Sequence, residues 1–145
     1  MDPEELRKRS KRFALDAMEL FGEMPNTPLA RINGSQFVGA ATSVGANHRA
    51  ANRARSHAEF ISKIGIVEEE ADECCYWLEL MIEGRIMPAA RVEPLLKEAR
   101  ELTAIFTASG RTARSRSVKS IRDSQSPLPD SSAIRDSRSA FRVTP

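Results

Sequence analysis

The apolar residues Phe60, Ile64, Val67, Ala71, Cys74, Leu78 and Met81 recur in alternating steps of four and three, a spacing that places them all on one face of a helix. Ser56 with Glu59 three residues later forms a capping-box pattern just before this stripe. Gly84 is a natural stop after it. The segment between them is therefore expected to be a single rod of roughly 43 Å at 1.5 Å per residue. A rod with a continuous apolar face cannot stand alone in water, so the rest of the chain must supply helices that cover it.

Three further segments fit that requirement. Asp2 before Pro3 is a good helix start, because the carboxylate accepts from otherwise unpaired N–H groups and proline at the first helical position loses nothing. Leu6, Phe13, Ala17, Leu20 and Met24 then recur at helical spacing, and Pro25 to Pro28 end the first helix. The second is expected from about Leu29, ending near Asn47 or continuing to Ala54. It carries a proline-free run of small residues from Phe37 to Ala46, whose Gly39 and Gly45 each cost about 1 kcal/mol relative to alanine in a helix interior. That cost predicts close helix packing at both. The fourth spans about Ala89 to Ala113, with Pro88 and Pro94 at its start and Val92, Leu95, Leu96, Ala99, Leu102, Ile105 and Phe106 facing inward. Four amphipathic helices with short connections and no strand alternation predict an all-α, antiparallel up-down four-helix bundle over residues 1–113.

Residues 114–145 differ in kind. They hold seven Lys/Arg against three Asp/Glu, a net of +4, whereas residues 1–113 hold 15 against 17, a net of −2. Nine of the last 32 residues are serine and three are proline, and the apolar positions are isolated. Such a segment does not bury enough surface to offset its ordering entropy, so it is expected to be a disordered basic tail. Its Arg-Ser pairs, Arg114-Ser115, Arg116-Ser117 and Arg138-Ser139, suit non-specific phosphate contacts, and a merely solubilising tail explains them equally well.

Most catalytic chemistry is disfavoured. Charges break every apolar stretch and no secretory h-region is visible, which predicts a cytoplasmic protein with no membrane span. Cys74 and Cys75 are adjacent and lack zinc-ligand spacing, and no histidine at suitable spacing would activate either thiol. Gly34 and Gly39 are not followed by the Lys-Ser/Thr of a phosphate loop. His48 and His57 form no His-Glu-x-x-His pattern, and the run Glu68, Glu69, Glu70, Asp72, Glu73 lacks the Glu-x-x-His pairs of a di-iron bundle. No cofactor, metal or catalytic residue is therefore predicted, and the chain is expected not to be an enzyme.

The basic residues Arg49, Arg53 and Arg55 are the most suggestive feature. Arg49 and Arg53 share a helix face, and guanidinium groups suit bidentate phosphate contacts. With Lys8, Arg9 and Arg12 they form a candidate nucleic-acid surface if the first two helices meet there. The competing reading pairs these arginines with carboxylates, within one subunit or across an oligomer.

The stretch Ser43-Val-Gly-Ala-Asn-His-Arg-Ala-Ala-Asn-Arg-Ala-Arg-Ser-His-Ala-Glu-Phe-Ile-Ser-Lys63, followed by Glu68-Glu-Glu-Ala-Asp-Glu73 and Tyr76-Trp-Leu-Glu-Leu80, resembles the four-helix bundle proteins encoded in intervening sequences of bacterial 23S ribosomal RNA. Phe13-Ala-Leu, Leu95-Leu-Lys-Glu-Ala-Arg-Glu-Leu102 and Ile105-Phe106 extend the resemblance over about residues 6–113. Ala50 departs from the acidic residue that many members carry after the Asn-x-Arg element. The resemblance implies a homo-oligomer, specifically a pentamer, associated with RNA or DNA. Relatives of the family include the accessory protein of diversity-generating retroelements, so a reverse-transcriptase-like protein partner is the implied alternative. Self-association also has a basis in the residues: Ile61, Ile66, Cys75, Trp77, Leu80 and Ile82 give the third helix more apolar surface than three neighbours need.

Overall fold

The computed structural model describes residues 1–125, which form four helices: α1 (Pro3–Glu23), α2 (Pro28–Asn52), α3 (His57–Glu83) and α4 (Ala89–Ser124). The starts are set by the capping residues. Asp2 Oδ1 accepts from Glu4 N at 3.2 Å with Pro3 in the first turn, Thr27 Oγ1 accepts from Ala30 N at 3.2 Å, and Ser56 Oγ accepts from Glu59 N at 3.1 Å. Glu59 reaches back to the Arg55 N–H at 2.9 Å, which completes the capping box.

Contacts between neighbouring helices run in opposite directions along each pair. Ser10 lies against Gly45 and Phe21 against Gly34, so α1 and α2 are antiparallel. Asn33 Nδ2 donates to the Trp77 carbonyl at 3.2 Å, near the start of α2 and the end of α3. Arg100 with Glu79 and Arg114 with Glu68 tie α4 to α3, and Arg9 with Glu98 and Arg91 with Glu23 tie it to α1. The result is the up-down bundle expected from the apolar pattern.

The inward positions follow that pattern closely. Phe13, Ala17 and Leu20 of α1, the stripe Ile64 to Met81 of α3 and Val92 to Phe106 of α4 are buried in one cluster. Leu6, Met24 and Phe60 pack partly buried against it, and Ile105 is half-buried. From α2 the cluster receives Phe37 and Val44 but otherwise alanines: Ala40, Ala41 and Ala51. Phe13 and Phe37 meet edge to face, their centroids 6.1 Å apart, a favoured aromatic arrangement.

Several local expectations are corrected. Gly39 faces open space, with nothing within 4 Å of a side chain added there, and Gly45 would make only an ordinary 3.6 Å contact with the Ser10 carbonyl. The close approach is at Gly34, where an added Cβ would overlap the Phe21 ring. Gly84 does cap α3 as expected, with φ −81°, and the left-handed residue that turns the chain is Arg85, φ 54°. The apolar surplus of α3 is mostly covered within the chain itself. Cys75 is buried, Trp77 and Ile82 pack against the core, and Ile61, Ile66 and Leu80 are half-buried.

The expected break at residue 113 is not where helix ends. α4 continues through Arg114, Arg116 and Lys119 to Ser124, because once nucleated a helix adds residues at little cost and no proline intervenes before Pro127. The compact unit nevertheless closes at Arg114. The remaining tail, including Arg138-Ser139, lies outside the described residues. Among the described residues no helix is long and apolar enough to cross a membrane.

The two glycines of α2 are expected to respond oppositely. Gly39→Ala should raise the free energy of unfolding by roughly 0.5–1 kcal/mol through helix propensity. Gly34→Ala should lower it, because the Phe21 ring must leave its place. Urea denaturation of the two variants measures the difference in sign.

Candidate nucleic-acid interface

Helical geometry decides which cations can act together. Arg7, Lys11 and Ala14 succeed one another at i, i+4 and i+7 on α1, and Thr42, Gly45, Ala46 and Arg49 form a matching row on α2, continued by Arg53, the residue that caps its C-terminus. Where the two rows face each other they line a groove of about 480 Å³, completed by His48 and Asn52. Its rim carries Arg7, Lys11, Arg49 and Arg53, its floor is made of small residues, and no carboxylate lines it. Arg7 also pairs with Glu4 at 2.9 Å, whereas Lys11, Arg49 and Arg53 have no carboxylate within 4.0 Å among the described residues.

The candidate cations of α1 lie elsewhere. Arg9 is on the far side of that helix from Arg7 and forms a fork with Glu98, at 2.5 and 3.1 Å, and with Glu101, all on α4. Its hydrogen bond to Glu98 raises its pKa above the ordinary arginine value. Arg12 pairs with Asp16 of its own helix at 2.8 Å, and Lys8 lies 4.0 Å from Glu4. The cleft that contains Arg9 and Arg12 is also lined by Asp16 and Glu98, so its charge is largely neutralised. Arg55 is exposed beyond the end of α2 and does not line the groove. Of the six residues, Arg49 and Arg53 are brought together, while Arg7 and Lys11 are the groove residues that sequence reasoning missed. Their i, i+4, i+7 relation to Ala14 was readable, but the facing row on α2 was needed to single it out.

His48 forms the inner wall. It is only 6% exposed, its ring stands edge-on to Phe106 at a centroid distance of 5.0 Å, and its Nε2 lies 3.4 Å from Asn52 Nδ2. That contact suits a neutral ring whose Nε2 accepts from the amide. Burial, and secondarily the Arg7 charge, push the His48 pKa below its ordinary 6.5. His57 instead joins α3 to α4, its ring Nε2 donating to the Ala113 carbonyl at 2.8 Å.

The remaining titratable groups are shifted by their surroundings. Burial raises the pKa of both cysteine thiols, which disfavours the reactive thiolate. Burial followed by the neighbouring Glu73 and Glu69 charges raises that of Glu70. Among the described residues no group of three or more His, Cys, Asp or Glu side chains is placed to hold a metal ion.

These features define a small antiparallel helical bundle with a cationic concavity between its first two helices. The chain belongs to the family of 23S rRNA-intervening sequence proteins, whose model matches residues 4–108. It is also similar to a crystal structure from Bacteroides thetaiotaomicron described as a protein with unknown function from the S23 ribosomal protein family. The two are 29% identical with a TM-score of 0.71, over 77% of this chain and 99% of that one. Among curated proteins none matches significantly.

A histidine that is neutral when folded makes stability depend on pH in a definite sense. The unfolded chain binds a proton at His48 at a higher pH than the folded chain does, so stability is full above 6.5 and falls as pH drops from there toward the folded pKa. The charged groups that share its groove, Arg7, Lys11, Arg49 and Arg53, are all basic residues, so none offers a carboxylate partner to a protonated ring. The urea midpoint should therefore fall between neutral and mildly acidic pH, and a His48→Gln variant should show a shallower fall.

Proposed function

We propose that this protein is a non-enzymatic, self-associating cytoplasmic bundle that binds the phosphate backbone of RNA or DNA through the groove between α1 and α2. The observation that carries this reading is the convergence of Arg7, Lys11, Arg49 and Arg53 on one concavity with no lining carboxylate. Arg9, Arg91, Arg100 and Arg114 pair across helices with Glu98, Glu101, Glu23, Glu79 and Glu68, whereas three cations that share one groove with no carboxylate partner among the described residues repel one another locally, a cost that a bound anion would relieve. Guanidinium and ammonium groups release counterions when they meet phosphates, which makes such binding strong at low salt and steeply salt-dependent.

Exposed apolar surface supports the self-association in this reading. Leu15, Met18 and Phe21 of α1, Leu29 and Ile32 of α2 and Tyr76 of α3 are exposed large apolar side chains, and surface of that kind is commonly covered by another copy or a partner. A pentamer, as the family resemblance implies, would repeat the groove around a ring and raise apparent affinity without new contacts.

Fluorescence anisotropy with a labelled oligonucleotide at several salt concentrations tests the proposal. Replacing Lys11, Arg49 and Arg53 together by alanine should weaken binding and flatten the plot of log affinity against log salt by roughly one unit for each phosphate no longer neutralised. Light scattering should show the same oligomer mass for the variant. Unchanged, salt-sensitive binding by the variant would refute the groove assignment, whereas a parent protein that does not bind the oligonucleotide at all would favour a protein-binding adaptor whose arginines are structural.

A further inference from the structure

The shape of the groove adds something that its charge does not. A double helix presents its phosphates on a convex surface and keeps its bases paired inside, so flat or gently curved basic patches suffice to hold it. Here the cations stand around a concavity of about 480 Å³, a volume within the range of pockets that enclose small organic ligands. The floor is Ala14, Gly45 and Ala46, uncharged and nearly without side chains.

Gly45 sharpens the point. A Cβ at this position would sit 3.6 Å from the Ser10 carbonyl, an ordinary contact, so packing of α1 on α2 does not require glycine there. Glycine still weakens a helix interior relative to alanine. What its bare backbone does provide is depth in the groove.

The polar lining fits the edges and faces of a base. The Thr42 hydroxyl donates to the Val38 carbonyl at 2.8 Å, which leaves its oxygen able to accept. The Asn52 amide nitrogen is engaged at His48 Nε2, and its carbonyl oxygen makes no hydrogen bond among the described residues. Both are acceptors suited to the amino and imino N–H groups of a nucleobase. The guanidinium planes of Arg49 and Arg53 can stack on base faces as well as pair with phosphate, a combination used in recognition of unpaired strands.

We infer that the groove between α1 and α2 receives a nucleotide of an unpaired strand, its base on the Ala14–Gly45–Ala46 floor and its phosphates at Arg7, Lys11, Arg49 and Arg53. This rests on the nucleic-acid reading above and narrows it from any phosphate backbone to a single-stranded one.

The test compares a fluorescein-labelled oligonucleotide with the same strand annealed to its complement, titrated with the full chain at one fixed salt concentration. A second arm uses Ala46→Trp, which fills the floor from an exposed position and leaves every cation in place; its helical circular dichroism is checked first. The single strand should bind about tenfold more tightly than the duplex, and Ala46→Trp should weaken single-strand binding by a similar factor, the scale of one stacked base. Equal or tighter binding of the duplex, or a single-strand affinity untouched by Ala46→Trp, would overturn this inference and leave the phosphate-backbone reading standing. Absence of salt-sensitive binding to either form would overturn both.

Discussion

The bundle depends on α2 presenting alanine and glycine to its neighbours where the other helices present leucine, isoleucine and phenylalanine. Ala30, Gly34, Ala40, Ala41 and Ala51 are all buried, and their small volume lets adjoining helices come close to the α2 backbone. The Phe21 ring covers Gly34 at one end of the α1–α2 contact. At the other end Ala14, Gly45 and Ala46 have no large side chain to fill the space between the helices, and the gap is the groove. Close packing and an open concavity thus have one cause, the composition of a single helix, read at two places along it.

Neighbours, more than residue type, decide what each cation does. Arg9 and Arg12 sit only a few residues from Arg7 and Lys11, yet Arg9 is held by Glu98 and Glu101 of α4, and Arg12 by Asp16. One side of α1 therefore serves to tie the bundle together, and another faces α2, which supplies Arg49 and Arg53 and no carboxylate to that groove. The buried, neutral His48 keeps the inner wall uncharged, so the positive potential is concentrated at the rim where a phosphate can reach it.

The helices were legible because their signals are local. Asp2, Ser56 with Glu59, and the four-three stripe from Phe60 to Met81 are written within a few residues of where they act, and the structure uses them in those roles. The groove was only half legible. Arg49 and Arg53 announce themselves by their i, i+4 spacing, but their partners on α1 depend on how that helix is rotated about its axis, which is set by packing of Phe13, Ala17 and Leu20. The same rotation explains why Lys8, Arg9 and Arg12 fall outside the groove. Gly39 misled for a related reason: glycine marks either a close approach or an open surface, and only the facing helix distinguishes them.

Lysine acetylation footprinting of the full chain, free and bound to an oligonucleotide, tests the central claim most directly, since Lys8 and Lys11 are both exposed on α1 but point to different surroundings. With nucleic acid in the groove, mass spectrometry should show Lys11 protected from acetylation while Lys8 and the α4 residue Lys97 react as in the free protein. Protection of Lys8 or Lys97 with Lys11 fully reactive would place nucleic acid on another face and contradict the account.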